Sequence, residues 1–287
     1  MRIGVIRHFW EEDAVVHKEV AQAMDAALDV LARLGARLDT IRMRPLNDYY
    51  DVAKTIALPE LASIHRKELV ERPGDFSADF RIRGGLGACL FDAGDYVDAQ
   101  RERRCMLAEL KPLYERYDVF VTPAAPGPAP RLDSYRSMSY WQRPNMTTLF
   151  SITGGPALVL CNGFTETGLP LGIQIGGKPF GEANVLRAGY AYERATKWHT
   201  RRPTLSAGTA VPKISINSIP SEPPDIDQST ISLVQAMASR ARLKLTPSQF
   251  AELCHSAPHV LAMVERIRKY RDASDEPASV FRAAESM

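Results

Sequence analysis

The chain has 287 residues, 45% of them hydrophobic and 24% charged, the balance of an ordinary globular protein with a sizeable core. Lysine and arginine number 36 against 34 acidic residues, a net charge of +2 with no basic stripe, so a nucleic-acid partner is not expected. No run approaches the roughly 20 apolar residues that cross a bilayer, so no membrane partner is expected either.

In chain order, residues 2–7 read as a short buried strand. Its MRIGVIRHFW context has no long apolar run and no small-residue cleavage site, so it is not read as a leader. Val16, Val20, Ala23, Ala27, Leu31 and Leu34 share one face at steps of three and four, which predicts a helix over 15–34 closed by Gly35. Residues 38–43 return as a second strand, and the strand–helix–strand unit marks a layered α/β domain. Residues 46–70 read as mostly helical, 71–76 (ERPGDF) as a break, 82–93 as a further helical region and 96–117 as a long charged helix. A buried strand over 119–121 is cut off by Pro123, Pro126, Pro128 and Pro130, because proline cannot continue a central strand. Residues 141–150 read as a helix, 157–161 and 171–175 as two strands, and 182–196 as a helix. Residues 204–226 form a proline- and serine-rich linker, which divides an α/β portion, 1–203, from a small helical segment, 227–287. In that segment helices are expected at 228–242, 247–254 and 258–271, the second capped by Thr246 with Pro247 at its first position. The tail beyond residue 272 is expected to be extended.

Several residues raise chemical readings. Gly85-Leu86-Gly87 follows no strand and lacks a third glycine, so it reads as close helix packing and no nucleotide cofactor is expected. Cys254, His255 and His259 have no second ligand cluster, so no metal is expected. The four cysteines, Cys89, Cys105, Cys161 and Cys254, form no CxxC pair and read as reduced thiols of a cytoplasmic protein. Ser134, Ser137, Ser139 and Ser151 are nucleophiles on paper, but the sequence nominates no base for any of them. The charge-rich run 265–271 reads as a solvated face, with Val260, Leu261, Val264 and Ile267 opposite as a docking stripe. The proline run after the 119–121 strand makes a stiff wall for a cleft, and Gly154 and Gly155 allow close backbone approach before Pro156.

The stretches DVFVTPAAPGPAP, FSITGGPALVL and GLPLGIQIGGKPFGEANVLRAGYAYERATKWHTRRP, in that order, resemble the C-terminal half of the amidase signature family over about residues 2–203. ELASIHRKELVERPGDFSADFRIRGGLGACLFDAGDYVDAQRERR is most similar to amidases of the carboxybiuret hydrolase type. The resemblance implies a layered mixed sheet flanked by helices, with the glycine-rich strand central and the following helix closing the layer. It also implies hydrolysis of a small non-peptide amide or ureido bond, with Arg83, Thr122, Pro123, Thr153, Gly154 and Gly155 around the substrate. By similarity to the transamidosome amidase subunit, Arg83 stands where an arginine faces a substrate carboxylate. An ion pair with Asp75 or Asp79 is an equally open reading.

The resemblance has a gap. The family cuts amides with a lysine, a cis-serine and a nucleophilic serine set in a glycine/serine-rich signature, and nothing like GSSGGS occurs here. The chain starts downstream of where that signature belongs, so no catalytic residue carries over. Ser151 stands where an asparagine is usual, and Cys161 where a proline is. The last segment, with LKLTPSQFAEL and EPASVF, resembles the small helical partner subunits of such amidases, including the C subunit of the tRNA-dependent amidotransferase. The expectation is an oligomer, homo- or heteromeric, completed by an upstream amidase half or a second amidase subunit. The alternative is a non-catalytic assembly or binding protein on the same scaffold.

Overall fold

A computed structural model describes residues 1–131, 139–142, 144–203, 208 and 222–268, with Ser139 and Gln142 described by backbone alone. Most of the expected linker and the extended tail lie outside the described residues, as do Ser134 and Ser137. The elements run β1 (Arg2–Val5), a helical turn (Phe9–Asp13), α1 (Lys18–Arg33), β2 (Arg37–Thr40), α2 (Leu46–Ile64) and α3 (Arg66–Glu71). They continue with the single turn α4 (Ala78–Phe80), α5 (Ala93–Arg116), β3 (Val119–Pro123), α6 (Ser139–Gln142), α7 (Thr148–Thr153), β4 (Ala157–Phe164), β5 (Pro170–Gly176), α8 (Glu182–Thr196), α9 (Gln228–Arg240) and α10 (Pro247–Ile267). No described helix is long and apolar enough to cross a membrane.

The five strands form one mixed sheet in the order β2-β1-β3-β5-β4, with β2, β1 and β3 parallel and β5 and β4 antiparallel. Parallel neighbours need a long crossover, which α1 provides between β1 and β2 and the α2–α5 stretch between β2 and β3. The glycine-rich strand is β5, flanked by β3 and β4 as expected. α1 and α8 cover one face: a Cβ on Gly189 would overlap Leu158, and one on Gly163 would meet Ala23 at 3.3 Å. Phe120 and Gly176 lie in register on the opposite face, where the Tyr114 ring of α5 packs on Phe120 at 5.6 Å. On that face the Phe150 ring of α7 sits where any Cβ on Gly176 would be, so only glycine fits. α7 is thereby seated directly on the sheet.

The helical readings need correction in four places. The 15–34 helix starts at Lys18, with the His17 ring accepting from the Glu19 amide. The 82–93 stretch is no continuous helix, because Gly84 adopts φ +117° and turns the chain between two short helical turns. The 141–150 helix is instead two pieces, α6 and α7, with residues 144–147 outside either. The helices expected at 247–254 and 258–271 are one, α10, which runs straight through Pro258. A mid-helix proline costs about 3 kcal/mol. Here the cost is offset by one uninterrupted buried face comprising Leu253, Cys254, Ala257, Val260, Met263 and Val264.

That face packs, with Val234 and Ala238 of α9, on Leu58, Leu69, Leu86, Leu90 and Trp141, while Ile267 joins the core around the sheet. Three ion pairs fix the position. Arg81 forks onto Glu252 at 2.6 and 2.8 Å, Arg266 onto Asp51 at 2.6 and 2.9 Å, and Arg268 reaches Asp95 at 2.8 Å. The charged end of α10 is therefore not simply a solvated face: Arg266 and Arg268 neutralise carboxylates that are themselves buried. Glu252→Ala would strand a buried guanidinium, and urea unfolding is expected to show a loss of about 3–5 kcal/mol. Arg72→Ala, which opens an exposed pair with Asp75, is expected to cost under about 1 kcal/mol.

Candidate functional site

The sheet face beneath α7 carries a small buried polar group. Thr122 of β3 and Gln174 of β5 are cross-strand partners, both fully buried. Gln174 donates from Nε2 to Thr122 Oγ1 at 3.0 Å and to the Met146 carbonyl at 3.2 Å. Thr122 Oγ1 in turn donates to the Pro123 carbonyl at 3.1 Å. A glutamine inside an apolar strand is worth burying only if satisfied, and here it ties two strands to the segment that leads into α7. Gln174 was legible as the one polar residue of GIQIGG, yet no local pattern named its partners.

α7 ends in the other predicted group. Thr153 is buried and donates to Leu149 O at 2.7 Å, and its side chain also bonds the Tyr114 hydroxyl of α5, so both its donor and an acceptor site are taken. Gly154 closes the helix in the left-handed conformation, φ +74°. A Cβ on Gly155 would overlap the Gly177 carbonyl oxygen, and Gly177 N–H reaches Pro156 O at 2.9 Å. The backbone at Gly155 lies against the end of β5, the close approach expected there; Gly154 does not share it, since a Cβ on it would meet nothing within 4 Å, and its role is the left-handed turn. Arg103 of α5 holds the helix end by donating to Ile152 O at 2.7 Å. Cys161, the other departure from the family pattern, sits at a bulge in β4.

Arg83 belongs to a different neighbourhood. It pairs with Asp79 at 2.9 Å, whereas Asp75 is taken by Arg72 at the same distance. Its guanidinium lies over the Tyr140 ring, 5.2 Å from the centroid. The Lys54 ammonium of α2 lies over that ring at 4.6 Å and over the Tyr50 ring at 5.2 Å. Tyr50 donates to the Tyr140 carbonyl at 2.9 Å, and burial pushes the Tyr140 phenol up to about 12. Burial, with the Arg83 charge second, lowers the Lys54 pKa. Tyr50 and Lys54 are one helical turn apart, so their shared face was readable as an i, i+4 pair; nothing local placed Tyr140 against it.

Lys54 also lines a cavity of about 510 Å³ between α2, α5 and α7, with Arg103, Asn145, Thr147 and Ser151 on its other walls. A second cavity, about 260 Å³, lies where α10 meets the body and is lined by Tyr50, Asp51, Trp141, His259 and Arg266. His259 stacks on Trp141 with centroids 5.9 Å apart. Cys254 is buried, and a His255 ring nitrogen lies 2.9 Å from Glu222 O. Among the described residues no group of three acidic, histidine or cysteine side chains could hold a metal.

The Amidase family profile matches residues 1–186. The chain belongs to the amidase signature family. An amidase of Pseudomonas putida is 36% identical over 215 residues, 71% of this chain and 45% of that protein. A glutamyl-tRNA(Gln) amidotransferase component of Thermodesulfovibrio yellowstonii is 31% identical over 229 residues, 71% of this chain and 47% of that protein. A crystal structure of an amidase superposes with a TM-score of 0.59 at 29% identity, over 68% of this chain and 45% of the other. The chain thus spans about half the length of the curated relatives it matches.

Burial lowers the His259 pKa from its ordinary 6.5. The folded state then prefers the neutral ring, so the stability this site contributes is present above the unfolded value and is lost as the pH falls. The melting temperature is expected to drop on acidification below about pH 6.5. His259→Phe, which keeps a ring on Trp141, is expected to flatten that part of the profile. Thermal melts across the range check this, and an unchanged slope contradicts it.

Proposed function

We propose that this chain forms the wall and substrate-contact half of an amide-hydrolysing cleft. In the complete site a nucleophilic serine attacks the carbonyl of a small non-peptide amide or ureido compound. The amine leaves, and water releases the acid from the acyl-serine. Backbone N–H groups hold the oxyanion. The lysine, cis-serine and nucleophilic serine come from the family's other half, whether joined in the same polypeptide or carried on another. The observation that carries this reading is the pairing of family membership over residues 1–186 with the lack of any GSSGGS-like run in the sequence.

On this reading Arg83 faces a substrate carboxylate, a task that suits a bidentate guanidinium. Thr122, Pro123, Thr153, Gly154 and Gly155 line the wall, the threonines by fixing backbone through spent hydroxyls. α9 and α10 act as a built-in partner segment; the three ion pairs that seat α10 support this, as does the helical-subunit resemblance. The free thiols suit a reducing cytoplasm. A second reading, a non-catalytic assembly protein, is favoured by large apolar side chains left exposed: Val159 on the edge strand β4, Leu186 and Tyr190 on α8, and a Phe180 that is 96% exposed.

Co-expression with the N-terminal half of a related amidase separates the two. The cleft reading predicts amide turnover by the reconstituted pair, and Arg83→Gln lowering kcat/KM for carboxylate-bearing amides about ten- to hundredfold while sparing neutral ones. A stable but inert complex favours assembly.

A further inference from the structure

The cation that stands out is one the family resemblance did not single out. Arg83 has Asp79 beside it, but among the described residues no carboxylate comes within ion-pair distance of Lys54. The nearby Glu60 is engaged by the Tyr96 hydroxyl at 2.8 Å. Lys54 is instead held over two tyrosine rings, close enough to Arg83 to feel its charge. Ring faces attract an ammonium but do not neutralise it. A half-buried cation placed next to a like charge is stabilised most by an anion arriving from outside.

The cavity Lys54 lines suits such a ligand. Its roughly 510 Å³ lies within the range of small-molecule sites, about 300–1,000 Å³. The Lys54 ammonium brings the charge. Asn145 and Thr147 before α7 and Ser151 within it add polar atoms, with Thr147 Oγ1 donating to Asn145 Oδ1 at 2.9 Å and Ser151 Oγ to Thr147 O at 3.2 Å, so the two hydroxyls have acceptor capacity left. The cavity's own acid, Glu60, stands one turn and a half further along α2 and is already bonded.

We propose that Lys54 is a specificity-determining anchor: its ammonium, held over Tyr50 and Tyr140, takes the carboxylate of a small amide acid that enters this cavity, while Arg83, which shares the Tyr140 ring but does not line the cavity, adds its positive charge nearby. This rests on the Arg83 reading above and adds a second cation to it. A bland alternative assigns Lys54 only to bracing the two tyrosines, and the two readings part on whether binding depends on ligand charge.

The test is calorimetric titration of the full chain with succinamate, an amide that bears one carboxylate, and with succinamide, its neutral counterpart. Wild-type chain is expected to bind succinamate at least tenfold more tightly than succinamide. Lys54→Met is expected to weaken succinamate binding about ten- to hundredfold without a matching loss for succinamide. Lys54→Arg is expected to restore most of it, and melting curves confirm that both variants are folded. Equal succinamate affinity in wild type and Lys54→Met overturns the role of Lys54. If Arg83→Gln still weakens binding in that case, the Arg83 reading stands alone; if it does not, both fall. Equal affinity for the two compounds, or no binding of succinamate to the wild-type chain, also overturns the proposal.

Discussion

The structure depends on how closely α7 lies on the sheet. Phe150 occupies the space that a side chain at position 176 would need, and the chain meets that demand with glycine. Everything at the site follows from this seating. It brings the end of α7 against the end of β5, where the missing side chain of Gly155 leaves room for the Gly177 carbonyl. It sets Met146 over Gln174, so that one amide can tie β3, β5 and the approach to α7 together. It also opens the space between α7 and α2 into which Lys54 and Ser151 look. The glycine density of GLPLGIQIGGKPFGEANVLRAGYAYERATKWHTRRP is thus mostly a packing requirement, with Gly168 instead serving the turn at φ +83°, and no catalytic group is needed to explain it.

A second constraint acts from the C-terminal side. α10 packs on the outer surface of α2 and the turns around Gly84, burying a continuous apolar face through a helix that a proline would otherwise weaken. Its ion pairs answer carboxylates that little water reaches, although Arg266 and Arg268 are themselves half exposed, so they do more for register than for net stability. Asp51 is the informative case. It sits one residue after Tyr50 on α2, and its partner Arg266 comes from a helix 215 residues away in sequence. α10 is therefore joined to the same helix that carries Tyr50 and Lys54. On the proposed reading, the segment that completes the core also steadies the substrate side of the cleft.

Much of this was legible in the sequence. The strand–helix–strand start and the hairpin of β4 and β5 follow from local pattern, and the ordered set of segments carried the family. The strand expected to stop at residue 121 instead runs through Pro123, which pairs with Ile173 of β5, because a proline lacks only the donor and the Ala124 amide beyond it still reaches Gly172 O. The misses have a common physical cause, tertiary context overriding local signal. Apolar period alone made 82–93 look helical, but Gly84 is turned to φ +117° where Leu58 crowds it. Pro258 looked like a helix boundary, but burial on both sides kept α10 whole. Arg266 and Arg268 looked solvated because their carboxylate partners lie far back in the chain. The Lys54–Tyr140 contact joins α2 to α6 across a long stretch of chain; no spacing rule reaches that far.

On the proposed reading this chain holds the wall of an amidase cleft and not its nucleophile. The most direct measurement is intact-mass analysis of the purified chain after exposure to a fluorophosphonate, which traps activated serines. The expected result is no adduct on the chain by itself. A single stoichiometric adduct, mapped to one of its own serines and lost when that serine is replaced by alanine, would contradict it.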